Sequence, residues 1–382
     1  MLPARGAFWL VFINFLFSLG IAVLAPIFPL YVKTFVNNNA FVGYVSAFIA
    51  LVLLFGALTL GHLLKYVKKF TLLMISLLFT SFSYYLLMVV HSLTGLLILI
   101  FFRTSALIIV LLIIGLYIRE SVKRDSVLGK TEGFYFTFMN LAWLIGPLMG
   151  GALSEKFGAN FVFGIGSGFT LLASVLAFYK VPRGGSFEKD RHTIFANVKE
   201  YFANKNLLII YLISIGLACW WPIIYTFLPL YLAQEGAAQS ITGYALFLVV
   251  LPLIILELPV GKLADKLGFK KFFNFGFLIL MLCAALTYFV QNYFFVIGLL
   301  VFGSVGIAFI EPLREAYLFK TIKKKDTVRF STIYATAFDV GSLISPLMLS
   351  SILYYTNFKI TFLSVAVFMF FFMIVSRSLR EL

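Results

Sequence analysis

Twelve stretches of this chain are each long and apolar enough to cross a lipid bilayer, and this limits the possible folds more than any motif does. A spanning helix needs about 20 mostly apolar residues. Such stretches fall at roughly 7–32, 41–64, 71–91, 94–118, 133–154, 160–181, 206–233, 241–264, 271–290, 293–319, 331–354 and 358–376. Inside lipid each backbone polar group must be satisfied within the protein, so the expected structure is all helical. Composition agrees. Only 12% of the 382 residues are charged and 62% are hydrophobic, too few polar side chains to coat a soluble domain.

The net charge of +15 would suit a nucleic-acid binder, but its distribution points to a membrane. When the loops are assigned alternately to two sides, 25 of the 30 lysines and arginines fall on the side that holds both termini. Only Lys33, Lys156 and Lys359 fall on the other side, and Arg103 and Arg314 lie inside spans. The positive-inside rule makes the basic side cytoplasmic, so both termini are expected there, in a plasma-membrane protein. No nucleic-acid partner is expected. The first span follows only "MLPARGA" and is too long for a signal-peptide core, so it reads as an uncleaved helix. Cys219 and Cys283 sit in separate spans with no disulfide or metal spacing around them.

The chain divides into residues 1–181, a polar linker at 182–205, and residues 206–382. The linker contains "TIFANVKEYFANK", which puts Ile194, Phe195, Val198, Tyr201 and Phe202 on one helical face. That pattern fits either a helix on the inner membrane surface or a plain connector. The flanking six-span segments resemble each other. "FPLYV" at 28–32 matches "LPLYL" at 228–232, and Gly43-Tyr44 matches Gly243-Tyr244. "GHLLK" at 61–65 matches "GKLAD" at 261–265, so all three pairs share an offset of 200. "IGPLM" at 145–149 matches "ISPLM" at 344–348 with an offset of 199, which sets Tyr135 over Tyr334 and Asn140 over Asp339. Six-helix parallel repeats with a ligand site near the midplane are one plan for a membrane transporter.

The turn after span 8 reads "GKLADKLGFKK". Gly261 would let its helix approach a neighbour closely. Asp265 sits at a helix end, where it can pair with lysines or face the N-terminus of another helix. Gly268 permits a tight turn, and Lys266, Lys270 and Lys271 suit an anionic membrane surface. The string resembles the signature loop of the major facilitator superfamily. The resemblance implies two pseudo-symmetric six-helix bundles, alternating access, and a latch at this loop. The first-half copy "GHLLKYVKK" has Lys65 in place of the acid and lacks the second glycine. Gating that relies on Asp265 is therefore expected to be asymmetric.

Span 5 contains "GPLMGG", with Gly146, Pro147, Gly150 and Gly151. It resembles the core of the motif typical of the family's antiporters, in which proline bends the helix and glycines allow close packing. Arg103 in span 4 stands where those antiporters carry an arginine implicated in proton transfer. The glutamine and glycine that usually follow are absent, and span 1 has no acid, with Phe17 near its expected place.

Ionisable groups inside spans are costly and usually functional. Besides Arg103 they are Glu257, Glu311, Arg314, Glu315 and Asp339. In the family, helices 1, 4, 7 and 10 usually line the cavity. Glu311, near the middle of span 10, is the candidate for binding a proton or a cationic substrate, although Arg314 three residues on would equally make it a structural pair. Glu257, about two turns from Asp265, is expected to join the latch. Trp220, Trp221 and Tyr225 in span 7 are candidate aromatic walls for an apolar or cationic ligand.

The reading is a monomeric transporter, not an enzyme, that exports small lipophilic or cationic molecules in exchange for protons, as in the twelve-helix drug:proton antiporter branch. Uptake or facilitated passage of a sugar or organic acid is the alternative. A transporter-derived receptor or scaffold is the alternative from another class. The chain has no phosphate-cradling loop, and His62, His91 and His192 are scattered, so no cofactor, metal or catalytic cluster is expected.

Overall fold

The computed structural model of the chain describes residues 5–64, 66–121, 125–183, 194–323 and 326–381. Among them there is no strand. The helices are α1 Arg5–Ala22, α2 Phe28–Lys33, α3 Asn39–Leu63, α4 Lys69–Val89, α5 Leu93–Ser121, α6 Asp125–Phe157, α7 Ala159–Lys180, α8 Ile194–Ala203, α9 Lys205–Ala218, α10 Trp220–Pro222, α11 Leu228–Gln234, α12 Gln239–Leu267, α13 Phe269–Leu286, α14 Tyr293–Thr321, α15 Thr327–Tyr355 and α16 Phe358–Arg377. Among the described residues, eleven helical segments are long and apolar enough to cross a membrane, and Ala7–Ala22 adds a shorter apolar helix. They coincide with the twelve stretches read from the sequence, so this is a multi-pass membrane protein.

Two spans expected to be continuous are interrupted, both at proline. Pro26 has no N–H to return to the Ala22 carbonyl, and Ala25 bonds that carbonyl instead at 3.1 Å, making a tight turn between α1 and α2. After Pro222 the chain forms a π-helical turn, Ile223–Phe227, before α11 resumes. Such turns insert one residue and recur at functional sites.

The helix boundaries carry the internal repeat. α3, α4 and α5 start at residues 39, 69 and 93, and α12, α13 and α14 start at 239, 269 and 293. α7 and α16 start at 159 and 358. The offsets of 200 and 199 seen in short motifs thus extend to whole helices.

The chain forms two compact units. The first comprises Met1–Val36, Leu51–Lys189 and Ala237–Phe247. In it α1 packs on α6 and α7, and α4 on α5 and α7, around a core that includes Ile13, Phe17, Leu73, Leu77 and Ile113. The second comprises Asn37–Ala50, Asp190–Gly236 and Leu248–Leu382. There α13 packs on α14 and α16, and α15 on α9.

Linker residues 184–193 lie outside the described residues, and α8 follows them. Tyr201, on the stripe that fits either a membrane-surface helix or a plain connector, packs against protein. It is fully buried, with its ring 5.5 Å from Phe330 and 6.2 Å from Tyr211. Burial, then the neighbouring Tyr334 and Tyr211, pushes the Tyr201 phenol above its ordinary pKa. Glu200 accepts both arms of the Arg329 guanidinium at 2.7 and 2.8 Å, and Arg329 also reaches Asp326 at 2.9 Å. A planar fork on a carboxylate fixes orientation as well as distance. α8 is therefore clipped to α15.

Candidate functional site

In the second unit, α14 brings Glu311, Arg314 and Glu315 toward α15 and the π turn. Glu311 Oε2 is buried and has no hydrogen-bond partner among the described residues. Glu311 lies within electrostatic reach of Arg314, Glu257, Glu315 and Tyr225. Among the described residues, the ion pair of Arg314 is with Glu315 at 3.8 Å, and none joins it to Glu311. The Arg314 guanidinium lies 5.7 Å from the ring centres of both Tyr334 and Phe338, and its Nε has no partner among the described residues. Tyr334 also accepts a hydrogen bond from Ser214 at 2.9 Å. Carboxylate, guanidinium and aromatic faces thus converge where water is scarce, an arrangement able to hold a proton or a charged ligand.

Trp221 and Tyr225 belong to this group, with rings stacked 5.7 Å apart at an interplanar angle of 20°. Trp220 does not. It is fully buried, and a Cβ built on Gly303 would lie 2.8 Å from its ring. It fills the unit's core rather than walling a cavity. Glu257 is exposed and its charge neighbours are Glu315 and Glu311, so it joins this cluster instead of the Asp265 turn expected for it.

In the first unit Arg103 is 7% exposed. Its Nη2 donates to the Tyr84 hydroxyl at 3.4 Å, and the guanidinium lies 5.0 Å from the Tyr84 ring centre and 5.6 Å from that of Phe28. Tyr84 in turn donates to the Gly20 carbonyl at 3.0 Å. Arg103 Nε has no partner, and among the described residues Arg103 makes no ion pair. Two aromatic faces and the Tyr84 hydroxyl hold this buried cation among the described residues.

The "GPLMGG" segment of α6 packs as a seat. A Cβ on Gly146 would lie 2.5 Å from the Cβ of Ala22, and one on Gly150 only 1.8 Å from the Val23 carbonyl oxygen, so both glycines face the break between α1 and α2. Gly151 touches the start of α12, where its Cβ would lie 2.9 Å from Gly243 Cα. The Pro147 carbonyl faces Gly243 there as well. Ser154 bonds Gln239, and Glu155 accepts from the Ser240 N–H at 3.0 Å.

At the turn after α12, Asp265 takes a hydrogen bond from Lys320 at 2.7 Å. Gly268 has φ +88°, the left-handed region that glycine tolerates. Nothing described lies within 4 Å of a Cβ on Gly261, so close packing does not account for that glycine here. Lys266, Lys270 and Lys271 flank the same turn. Lys65, the residue that replaces the acid in the first repeat, lies outside the described residues, but Lys69 nearby is buried and pairs with Glu120.

Sequence reasoning missed Tyr84 and Glu120. It aligned Tyr135 with Tyr334 but gave neither a role. The signal was in the repeat. Asn14 and Ser214 are 200 residues apart, both fully buried, and beside Tyr135 and Tyr334 respectively.

Apolar spanning helices with buried charges inside them mark a multi-pass helical membrane protein with a functional site in the membrane. The family model described as Major Facilitator Superfamily matches residues 10–247 and 221–381, and the chain belongs to that superfamily. An uncharacterized MFS-type transporter of Methanocaldococcus jannaschii is 26% identical over 273 residues, covering 69% of each chain. The fold is that of the superfamily. The crystal structure of the nucleoside transporter NupG has a TM-score of 0.78 at 14% identity, covering 97% of this chain and 99% of that one. A bacterial homologue of the human lysosomal transporter Spinster, inward-facing and occupied, has a TM-score of 0.80 at 10% identity, covering 98% and 97%.

Proposed function

We propose that this transporter is a proton-coupled exporter of small lipophilic or cationic molecules. It works as a monomer by alternating access in the plasma membrane, with both termini in the cytoplasm. The observation that carries this reading is the buried Oε2 of Glu311, which has no hydrogen-bond partner among the described residues, beside the stacked Trp221 and Tyr225. A carboxyl oxygen inside a membrane with no internal partner has a large incentive to take a proton or a cation. In this reading Glu311 holds either the proton or the cationic substrate, never both, and the competition couples their fluxes. The "GPLMGG" seat supports assignment to the antiporter branch, since it holds α6 tightly on α1 and α12.

The test uses purified protein in liposomes that hold a pH-sensitive dye under an imposed proton gradient. Lipophilic cations, sugars and organic acids are added in turn, with Glu311→Gln alongside. Cation-triggered proton movement that Glu311→Gln abolishes is the expected result. Transport without proton movement, or a variant that behaves as wild type, would falsify coupling through Glu311.

One observation favours a second reading, uptake or facilitated passage of an organic anion. Among the described residues Arg103 makes no ion pair, and the Nε atoms of Arg103 and Arg314 are unbonded. A response confined to the organic acids in the same assay would move the assignment there.

A further inference from the structure

We propose that Asp339, in the middle of α15, is a second proton-binding carboxyl, separate from Glu311 and reached along one polar face of its helix. For its part in transport this rests on the proton-coupled reading above. The binding of a proton at Asp339 does not.

The face follows from helix periodicity. Thr332, Ala335, Asp339, Ser342, Pro346 and Ser350 recur every three or four residues and so share one side of α15. Exposure falls along it. Thr332 and Ala335 are exposed, Asp339 and Ser342 are partly exposed, and Pro346 and Ser350 are buried, the last packed on Gly43. The exposed apolar side chains Ile344, Leu347 and Met348 lie on other sides of the helix. Those suit lipid, whereas a face of threonine, alanine, aspartate and serine suits water. Asp339 therefore stands where a wettable face, exposed toward the Arg329 end, runs into packed protein.

Two features make that point a place for a proton rather than a fixed charge. The first is that no partner holds the carboxylate. The helices packed against α15 bring Lys199 and Glu200 on α8, Lys205 on α9, and Lys359 and Arg377 on α16. Glu200 pairs with Arg329, about three turns before Asp339 on α15 itself. Arg314 of α14 lies over the ring of Phe338, and the Tyr211 hydroxyl of α9 is taken by Thr336 at 3.0 Å. Among the described residues, no hydrogen bond or ion pair reaches Asp339. An unpaired carboxylate inside a membrane span is costly, and taking up a proton removes the charge.

The second feature is an open acceptor. Pro346 has no N–H to return to the Ser342 carbonyl, which is left without its helical donor one turn beyond Asp339 on the same face. A protonated carboxyl, or a water beside it, can donate there. The first repeat keeps the proline as Pro147 but has Asn140 in place of the acid, so its α6 offers no matching carboxyl.

Infrared spectroscopy of the full-length protein in liposomes at neutral pH tests this, with wild type, Asp339→Asn and Glu311→Gln compared. Asp339→Asn installs the residue that the first repeat already holds. It should remove one protonated-carboxyl band that Glu311→Gln retains. Ala335→Leu, which fills the exposed face and keeps the carboxyl, should retain the band and slow its shift in heavy water. A band that survives Asp339→Asn would overturn the proposal, and an unchanged shift rate in Ala335→Leu would overturn the route. In the dye-loaded liposomes, Asp339→Asn should still carry the cation but move one proton fewer for each one carried, and an unchanged ratio would remove Asp339 from coupling. If wild type moves no protons with any cation, the coupled reading fails, and the infrared bands still decide whether Asp339 holds a proton.

Discussion

Gly150→Ala is the sharpest test of how the first unit is built. The added Cβ would lie 1.8 Å from the Val23 carbonyl oxygen, 2.8 Å from its carbon and 3.2 Å from Pro26 Cγ. That is about 1.5 Å short of ordinary contact, and the obstacle is backbone at a helix break, with no rotamer that could swing clear. Overpacking of this kind costs ~1–3 kcal/mol or more. A mid-helix alanine would otherwise gain ~1 kcal/mol over glycine. Gly168→Ala in α7 isolates that gain, because nothing lies within 4 Å of its Cβ. That gain is common to both variants, so they should differ by the overpacking cost of ~1–3 kcal/mol, with Gly150→Ala the less stable. At ~2–4 °C per kcal/mol this separates their unfolding midpoints by roughly 2–12 °C. The assay is the fraction of monodisperse protein that survives a temperature ramp in detergent, read by size exclusion. If Gly150→Ala survives as well as Gly168→Ala, α6 does not seat on the α1–α2 break as described.

Two other substitutions test buried polar groups. Glu120→Gln strands the Lys69 ammonium, whose side chain is 2% exposed. The same ramp should show a loss of about 1–3 kcal/mol, below the range for a fully buried pair because Glu120 is half-exposed. Adding Lys69→Met should recover most of it, and no recovery would mean that the lysine is not the group left unpaired. In α8, the buried Tyr201 hydroxyl has no hydrogen-bond partner among the described residues. Tyr201→Phe should leave stability unchanged or raise it by up to ~1 kcal/mol, whereas Tyr201→Ala should loosen 194–203 to hydrogen exchange. A clear loss in the phenylalanine variant would show that the hydroxyl is bonded.

The apolar spans and the two-fold repeat were legible in the sequence, because apolar length reports them directly. The helix ends were less so, since α6 begins at Asp125 and its span was expected from 133. The facing of each helix was not. An amphipathic helix shows which side is buried, but these helices are apolar all round and lack that signal. Trp220 and Trp221 are adjacent and chemically identical, yet one fills the core against Gly303 and the other stacks on Tyr225 beside Glu311. Glu257 could be placed two turns from Asp265 by counting, but the count does not say which neighbouring helix it faces. The stripe with Tyr201 stayed open for a related reason, since an apolar stripe fits lipid and protein equally well. The polar exceptions carried the readable information. Asn14 beside Tyr135 and Ser214 bonded to Tyr334 put a buried polar side chain next to a tyrosine in each unit, at repeat-related positions.

The repeat also explains the one motif that departed from its pattern. The first-half turn has Lys65 where the second has Asp265, which reads as the loss of a functional acid. At the same offset of 200, Glu120 stands opposite Lys320. Both signs are reversed, so the attraction between turn and helix end is conserved in kind. In the second unit it is the pair Asp265–Lys320, and in the first Lys69 takes Glu120. The two versions are not equivalent. Lys320 near the C-terminal end of α14 agrees with that helix's dipole, whereas Glu120 near the C-terminal end of α5 and Lys69 at the start of α4 both oppose theirs. Burial compensates in part. The side chain of Lys69 is 2% exposed and that of Lys320 49%, so solvent screens the first pair much less. The asymmetry between the two turns is therefore one of polarity and burial, and neither unit lacks an ion pair there.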